Sequence, residues 1–327
     1  MVSNSVAIIP ADAGGCSFYR IQQPIHKLAE DAGLNIGILP SGENMTYRVA
    51  ADIISMNPRF LLIQRQFSTQ QADFYQALKH TAPHIPLYMD FDDLLWNPHP
   101  RSTFKPTPHD IANLDRIARL ADRLIASTKP LQEALWHRYK KKAVVVPNMI
   151  DGGLFRSPSR RNATEKMRIL YAGSKTHQCD LDQIIPVVQN THKKYEWHFV
   201  GYVPPEIRDI VRYNDGVSFP DYMNTLAGIK AHVGIAPLVD IGFNKCKSNV
   251  KLLEYGALGM ATVASAVYPY NPSPALKIRT GSQNEWIAAL RGLEDEKTRI
   301  ANAKKSQEYS GTFSIQGGGS LIMNAYN

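Results

Sequence analysis

The chain has 327 residues, 44% of them hydrophobic and 20% charged, with a formal net charge of +8. That length accommodates two packed domains, and the composition is that of an ordinary globular protein, not of a disordered or fibrous one. No long apolar run reads as a transmembrane helix, the start MVSNSVAIIPADAGG does not read as a signal peptide, and three scattered cysteines (Cys16, Cys179, Cys246) make neither a disulfide framework nor a zinc site. The expectation is a cytoplasmic protein whose positive balance suits phosphorylated substrates, polyanions or the surface of an anionic membrane.

Short β-branched runs alternate with longer amphipathic stretches, the pattern of a parallel sheet wrapped by helices. In the first half, strands are predicted at Val6–Pro10, Asn35–Pro40, Arg59–Arg65, Pro86–Phe91, Arg123–Thr128 and Ala143–Asn148. Helices are predicted at Ile21–Ala32, Gln70–His80, His109–Ala121 and Lys129–Arg138. Asp151–Lys166 is polar and aperiodic and reads as a linker. Beyond it, strands are predicted at Arg168–Ala172, Glu196–Tyr202, Val217–Phe219, His232–Leu238 and Ala261–Ser265. Helices are predicted at Leu181–Asn190, Pro205–Tyr213, Tyr222–Lys230, Ser248–Leu258 and Gln283–Arg291. Two doubly wound α/β domains follow, at residues 1–155 and 156–310, with 311–327 as an irregular or strand-like tail. In such sheets ligands bind beyond the carboxyl ends of the strands, so the cleft between the domains is the expected site.

The segment after His232–Leu238 carries the most chemistry. Ser248 is a good N-cap residue, which leaves the amides of a helix start free to face an anion. Lys247, Lys251 and Glu254 then share one helix face at spacings of four and three. Cations and amides serve a diphosphate, and a carboxylate one turn deeper serves ribose hydroxyls. The same spacing also fits a solvated face with an ordinary surface ion pair. At the end of the fourth strand stand Asp90, Asp92 and Asp93, three carboxylates that need partners or water. They can position an acceptor hydroxyl, act as a base, or bind Arg65 across the sheet. Asp90 and Asp92 also match a D-x-D metal motif, but the basic helix start supplies phosphate neutralisation without a metal.

Lys251, Glu254, Tyr255, Ala257, Gly259 and Val263–Ser265 resemble the K-x-x-E-Y-x-A-x-G-x-P-V-V-A-S helix of family 4 (group 1) glycosyltransferases of the two-domain GT-B kind. Gly173–Leu181 resembles their G-S-x-T-H-x-x-D-L turn, and Tyr19–Arg20 and the Asp90–Asp93 strand end resemble a subgroup found in phages and polysaccharide clusters. Met260–Ala261 stands where a small residue and proline are common, and Cys246 stands where the family has an earlier glutamate, so the residue that would contact the transferred sugar is left open. The resemblance implies two Rossmann-like domains facing a cleft and transfer of a sugar from a UDP- or GDP-sugar to a hydroxyl, retaining and metal-independent, with no tightly bound cofactor. The implied donor-binding residues are Gly14, Gly15, Arg20, Gly173, Ser174, Lys175, Lys247, Ser248, Lys251 and Glu254. Asp90, Asp92, Asp93 and His177 are the catalytic candidates. The acceptor expected is a polysaccharide or lipid-linked glycan, with hydroxymethylated bases in DNA as the second acceptor. A nucleotide-sugar epimerase, or a nucleotide-sugar binder without catalysis, would present the same two domains and the same donor helix.

Overall fold

The computed structural model describes residues 4–12, 14–40, 45–151, 153, 166–217, 221–318, 322, 325 and 326. The first half builds β1 (Ser5–Ile9), α1 (Gly15–Ser17), α2 (Gln23–Ala32), β2 (Asn35–Ile38), α3 (Tyr47–Met56), β3 (Leu61–Gln64), α4 (Thr69–Thr81), β4 (Leu87–Phe91), α5 (Pro108–Leu120), β5 (Arg123–Ala126), α6 (Lys129–Tyr139) and β6 (Val144–Val145). The second builds β7 (Arg168–Gly173), α7 (Gln178–Leu181), α8 (Ile185–Thr191), β8 (Glu196–Gly201), β9 (Arg212–Asn214), α9 (Asp221–Ile229), β10 (Val233–Ala236), α10 (Gly242–Lys245), α11 (Val250–Ala257), β11 (Ala261–Ser265), β12 (Leu276–Ile278), α12 (Gln283–Gly292) and α13 (Glu296–Gly311). Among the described residues the strands form two six-stranded sheets, ordered β2-β1-β3-β4-β5-β6 and β12-β11-β10-β7-β8-β9. Every pairing is parallel. These are the two Rossmann-like domains that the alternation of strands and helices implied.

Helices cover both faces of each sheet, so β1, β4 and β11 are buried at every position and are mostly apolar, interrupted by Ser5, Asp90, Thr262 and Ser265. Local chemistry marks the helix starts. Ser68 and Gln71 form a capping box on α4, and Thr107 and Asp110 form one on α5, each satisfying amides that the first turn leaves open.

Each sheet reverses its winding once. In the first sheet β1 and β3 are neighbours without being consecutive, and in the second β7 and β10 are. At such a switch point the two following loops diverge and leave a crevice. The loop after β1 and the end of β3 therefore form one wall of a cleft, and the loops after β7 and β10 form the other.

Several local expectations change. Residues 218 and 219 of the strand expected at Val217–Phe219 lie outside the described residues, as does most of Asp151–Lys166. The helix expected at Pro205–Tyr213 is a 3-10 turn, Pro205–Ile210, followed by the exposed edge strand β9. The helix expected over Leu181–Asn190 is two, α7 and α8, with a proline in the first turn of the second. α11 starts at Val250 with Asn249 as its N-cap, not at Ser248. The helices α3 and α13 and the strand β12 were not expected.

The tail has a place in the first domain. Ser314 forms an isolated parallel bridge with Ile150, and the Ile315 amide donates to the Ile150 carbonyl at 2.9 Å. Ile315, Ile322, Ala325 and Tyr326 are buried in the apolar cluster that holds Val6, Ile8 and Leu62. The Tyr326 ring stacks on Phe60, centroids 5.6 Å apart. Among the described residues no helix is long and apolar enough to cross a membrane.

Candidate functional site

The first wall begins where β1 ends. Asp12 accepts the Gly14 amide at 2.8 Å, and the helix that opens at Gly15 widens into a five-residue π-turn, Phe18–Gln22, a feature frequent at functional sites. It sends Tyr19 toward the second domain and Arg20 into the wall. Arg20 is 1% exposed; it binds both oxygens of Asp90, which is 0% exposed, and also donates to the Val146 carbonyl and to Asn148. Burial raises the Asp90 carboxyl above the ordinary aspartate value, and the guanidinium against it offsets only part of this.

Arg65 follows β3 with φ of +48°, a left-handed conformation uncommon for a side chain of this size. Its guanidinium forks onto Asp92, with Nε 2.8 Å from Oδ1, while the Cys16 thiol donates to the other oxygen at 2.6 Å. Burial would raise the Asp92 carboxyl; the Arg65 pair and the thiol outweigh it and hold it at about 2. Burial pushes the neighbouring Asp93 carboxyl up, against the pull of Lys247.

On the second wall, β7 ends at Gly173. A Cβ there would stand 2.6 Å from the Tyr171 hydroxyl and 2.8 Å from the Lys251 ammonium, so only glycine leaves Lys251 its position. Lys251 is 8% exposed and makes no hydrogen bond or ion pair among the described residues; burial, with Lys247 nearby, lowers it to about 8. No side chain caps the first turn of α11. Glu254, one turn on and 3% exposed, accepts from Tyr222 at 3.0 Å, and burial raises its carboxyl.

His177 meets Asp180 through Nδ1 at 3.0 Å. Burial and then Lys251 lower His177 to about 3, so the ring is neutral. Because Asp180 is a carboxylate, Nδ1 carries the proton and Nε2 is left as an acceptor. Asp180 also accepts from the Val239 amide and from Asn244, which fixes the loop after β10.

The walls meet across a cavity of about 590 Å³. Tyr19 donates to Glu254 at 2.7 Å, Lys247 reaches both oxygens of Asp93 at 3.2 and 3.3 Å, and Asn148 donates to the Ser248 hydroxyl at 2.9 Å. Lys247 also lies over the Phe243 ring, 4.5 Å from its centre.

Of the residues expected in the site, Gly15, Arg20, Asp92 and Asp93 line the cavity from the first domain. Gly173, Ser174, His177, Lys247, Ser248, Lys251 and Glu254 line it from the second. Three do not line it. Asp90 is behind the wall under Arg20, Gly14 is held back by Asp12, and Lys175 is exposed on the short 3-10 turn after β7. Ser248 faces Asn148 and does not cap the helix. Asp90 and Asp92 belong to different guanidinium groups, and among the described residues no three carboxylate, thiol or imidazole groups gather as a metal site.

Tyr19, Tyr222 and Asp180 were not among the site residues expected from the sequence, although Tyr19 and Asp180 lie in the motifs. Tyr19 sits beside the noted Arg20, but only the π-turn aims its hydroxyl at Glu254, and nothing local signals that turn.

No protein-family model and no curated protein matches the chain. Solved structures are similar in fold. HepE from Anabaena, in complex with UDP and glucose, aligns over 98% of each chain with a TM-score of 0.71 and 11% identity. Sucrose-phosphate synthase from Thermosynechococcus elongatus aligns over 98% of this chain and 97% of its own, with a TM-score of 0.73 and 15% identity. A UDP-forming trehalose-phosphate synthase from Burkholderia xenovorans aligns over 100% of this chain and 99% of its own, at 0.66 and 10%. The two facing Rossmann-like domains are thus the GT-B arrangement.

Proposed function

We propose that the protein is a glycosyltransferase that moves a sugar from a UDP- or GDP-sugar to an acceptor hydroxyl. The observation that carries this reading is Lys251, an ammonium 8% exposed, without a hydrogen-bonding partner among the described residues, lining the cavity beside Gly173 and Lys247. A buried cation left this way costs stability unless an anion meets it. A diphosphate is such an anion, and the similar fold of HepE in complex with UDP and glucose supports the choice.

In this reading Lys247, Lys251, Ser174 and the uncapped start of α11 hold the diphosphate and stabilise the charge that builds on it as the glycosidic bond breaks. Glu254 accepts ribose hydroxyls, and the Nε2 of His177 accepts from the sugar. Gly15 gives the donor a close backbone approach. Closure of the cleft keeps water from the activated sugar. On the resemblance to family 4 enzymes we propose retention of configuration without a metal, a polysaccharide or lipid-linked glycan as acceptor, and action in the cytoplasm at an anionic membrane face. Should the configuration invert, Asp93 is the carboxylate placed to take the acceptor proton, since Asp92 is held ionised by Arg65.

The test is a calorimetric and hydrolysis screen of UDP- and GDP-sugars with wild type, Lys247→Ala and Glu254→Ala. Each substitution is expected to weaken donor binding at least tenfold, about 1.4 kcal/mol. If neither does, the donor site is wrongly placed.

A further inference from the structure

The cavity is electrically divided. Its second-domain wall presents Lys247 and Lys251 against Glu254, with His177 neutral. Its first-domain wall presents Asp12, Asp92 and Asp93. Of the two guanidinium groups on that side, Arg20 is neutralised from behind by Asp90, and Arg65 is already forked onto Asp92. Beside these carboxylates lies an apolar shelf. Phe67 and Phe104 line the cavity with ring centroids 5.5 Å apart, and Phe104 is 40% exposed.

We infer that the part of the acceptor entering this half of the cleft is an uncharged sugar ring, packed in the angle between the tilted Phe67 and Phe104 rings and donating its hydroxyls to Asp93 and Asp92. The inference rests on the reading of the opposite half as a donor site, where the Lys251 ammonium, with no hydrogen-bonding partner among the described residues, marks the cavity as built for a ligand. Aromatic faces offer apolar contact to the C–H face of a sugar, and carboxylates accept hydrogen bonds from hydroxyls more strongly than neutral oxygens do. A phosphate placed there meets Asp12, Asp92 and Asp93, and the nearby cations Arg20, Arg65 and Lys247 are each already paired with an aspartate. The chain's overall charge of +8 points toward polyanions, but the local balance on this wall has the opposite sign. A nucleic acid needs Lys and Arg along its backbone path, and this wall does not offer them.

The experiment uses the full chain with UDP present at saturation. Saturation-transfer nuclear magnetic resonance and calorimetry compare methyl glucoside, galactoside and N-acetylglucosaminide with the matching sugar 6-phosphates and with a duplex containing hydroxymethylcytosine. At least one neutral glycoside is expected to bind with an affinity insensitive to salt, and every phosphorylated counterpart to bind at least about fivefold more weakly, with a deficit that shrinks as salt screens the added charge. Phe104→Ala is expected to weaken the neutral glycoside at least about fivefold while UDP affinity stays within about twofold of wild type. Tighter binding of a 6-phosphate or of the duplex overturns the inference. So does an unchanged glycoside affinity in Phe104→Ala, or binding of no neutral glycoside at all. Failure of UDP itself to bind the wild type counts against the donor site, and is read separately before any acceptor is added.

Discussion

Lys247 of the second domain reaches both carboxylate oxygens of Asp93 in the first, at 3.2 and 3.3 Å, so the cation proposed to meet the donor already bridges the cleft. A diphosphate must compete with Asp93 for it. Asp93→Asn is therefore expected to raise UDP affinity about three- to tenfold, the reverse of Lys247→Ala, as read by titration calorimetry. Equal affinities of Asp93→Asn and wild type would show that donor binding leaves the pair intact.

Lys251 ties donor affinity to pH. Burial holds its ammonium at about 8, below the ordinary lysine value. Between those two values the unfolded chain binds more protons than the folded one, so the contribution of Lys251 to stability rises with pH across that window. An anionic donor acts the other way, because it favours the charged form. UDP affinity is expected to fall as pH rises above about 8, with proton uptake on binding there. Calorimetry in buffers of different ionisation enthalpy reads that uptake. Lys251→Met is expected to raise the melting temperature while weakening UDP at least about tenfold, a trade of function for stability.

Glu254 separates the two ends of the nucleotide. Its oxygens are taken by Tyr19 and Tyr222, and it stands one turn beyond the cations. If it serves the ribose, Glu254→Gln should weaken UDP about fivefold and leave inorganic pyrophosphate unchanged. Equal loss of both ligands would place its effect on the phosphate end.

The Arg20–Asp90 pair lies inside the wall, at 1% and 0% side-chain exposure. Removing one partner strands a buried charge, so Asp90→Leu alone is expected to cost about 3–5 kcal/mol in urea denaturation. Arg20→Met combined with Asp90→Leu is expected to recover most of that loss. A double variant no better than the single one would mean that the hydrogen bonds of Arg20 to Val146 and Asn148 carry the wall instead.

Most of the sheet framework was legible because strands covered on both faces are short, mostly apolar runs without the helical period. β11 matches its expected bounds, and β1, β4 and β7 match within a residue or so. α13 was not, because its buried positions are Asn302, Ser306 and Ser310, which give no apolar stripe. Those small polar residues let it lie against Gly256, where a Cβ would strike the Ser306 backbone. On the second wall, Gly173, Ser174, His177, Lys247, Ser248, Lys251 and Glu254 were all named from the sequence and line the cavity, because they fall in two short segments that follow strand ends. The first wall was less so. Asp90, Asp92 and Asp93 stand close together in sequence, yet separate guanidinium groups draw Asp90 into the interior and hold Asp92 at the surface of the cleft. Only the fold decides which carboxylate faces the ligand.

The return of the tail bears on how the chain is made. Ile315, Ile322, Ala325 and Tyr326 complete an apolar cluster begun by Val6 and Ile8, and all four leave the ribosome after the entire second domain. Until that tail is translated, Phe60 lacks its stacking partner Tyr326, although the first sheet precedes it in the chain. The final packing of that face therefore waits until the second domain has been translated.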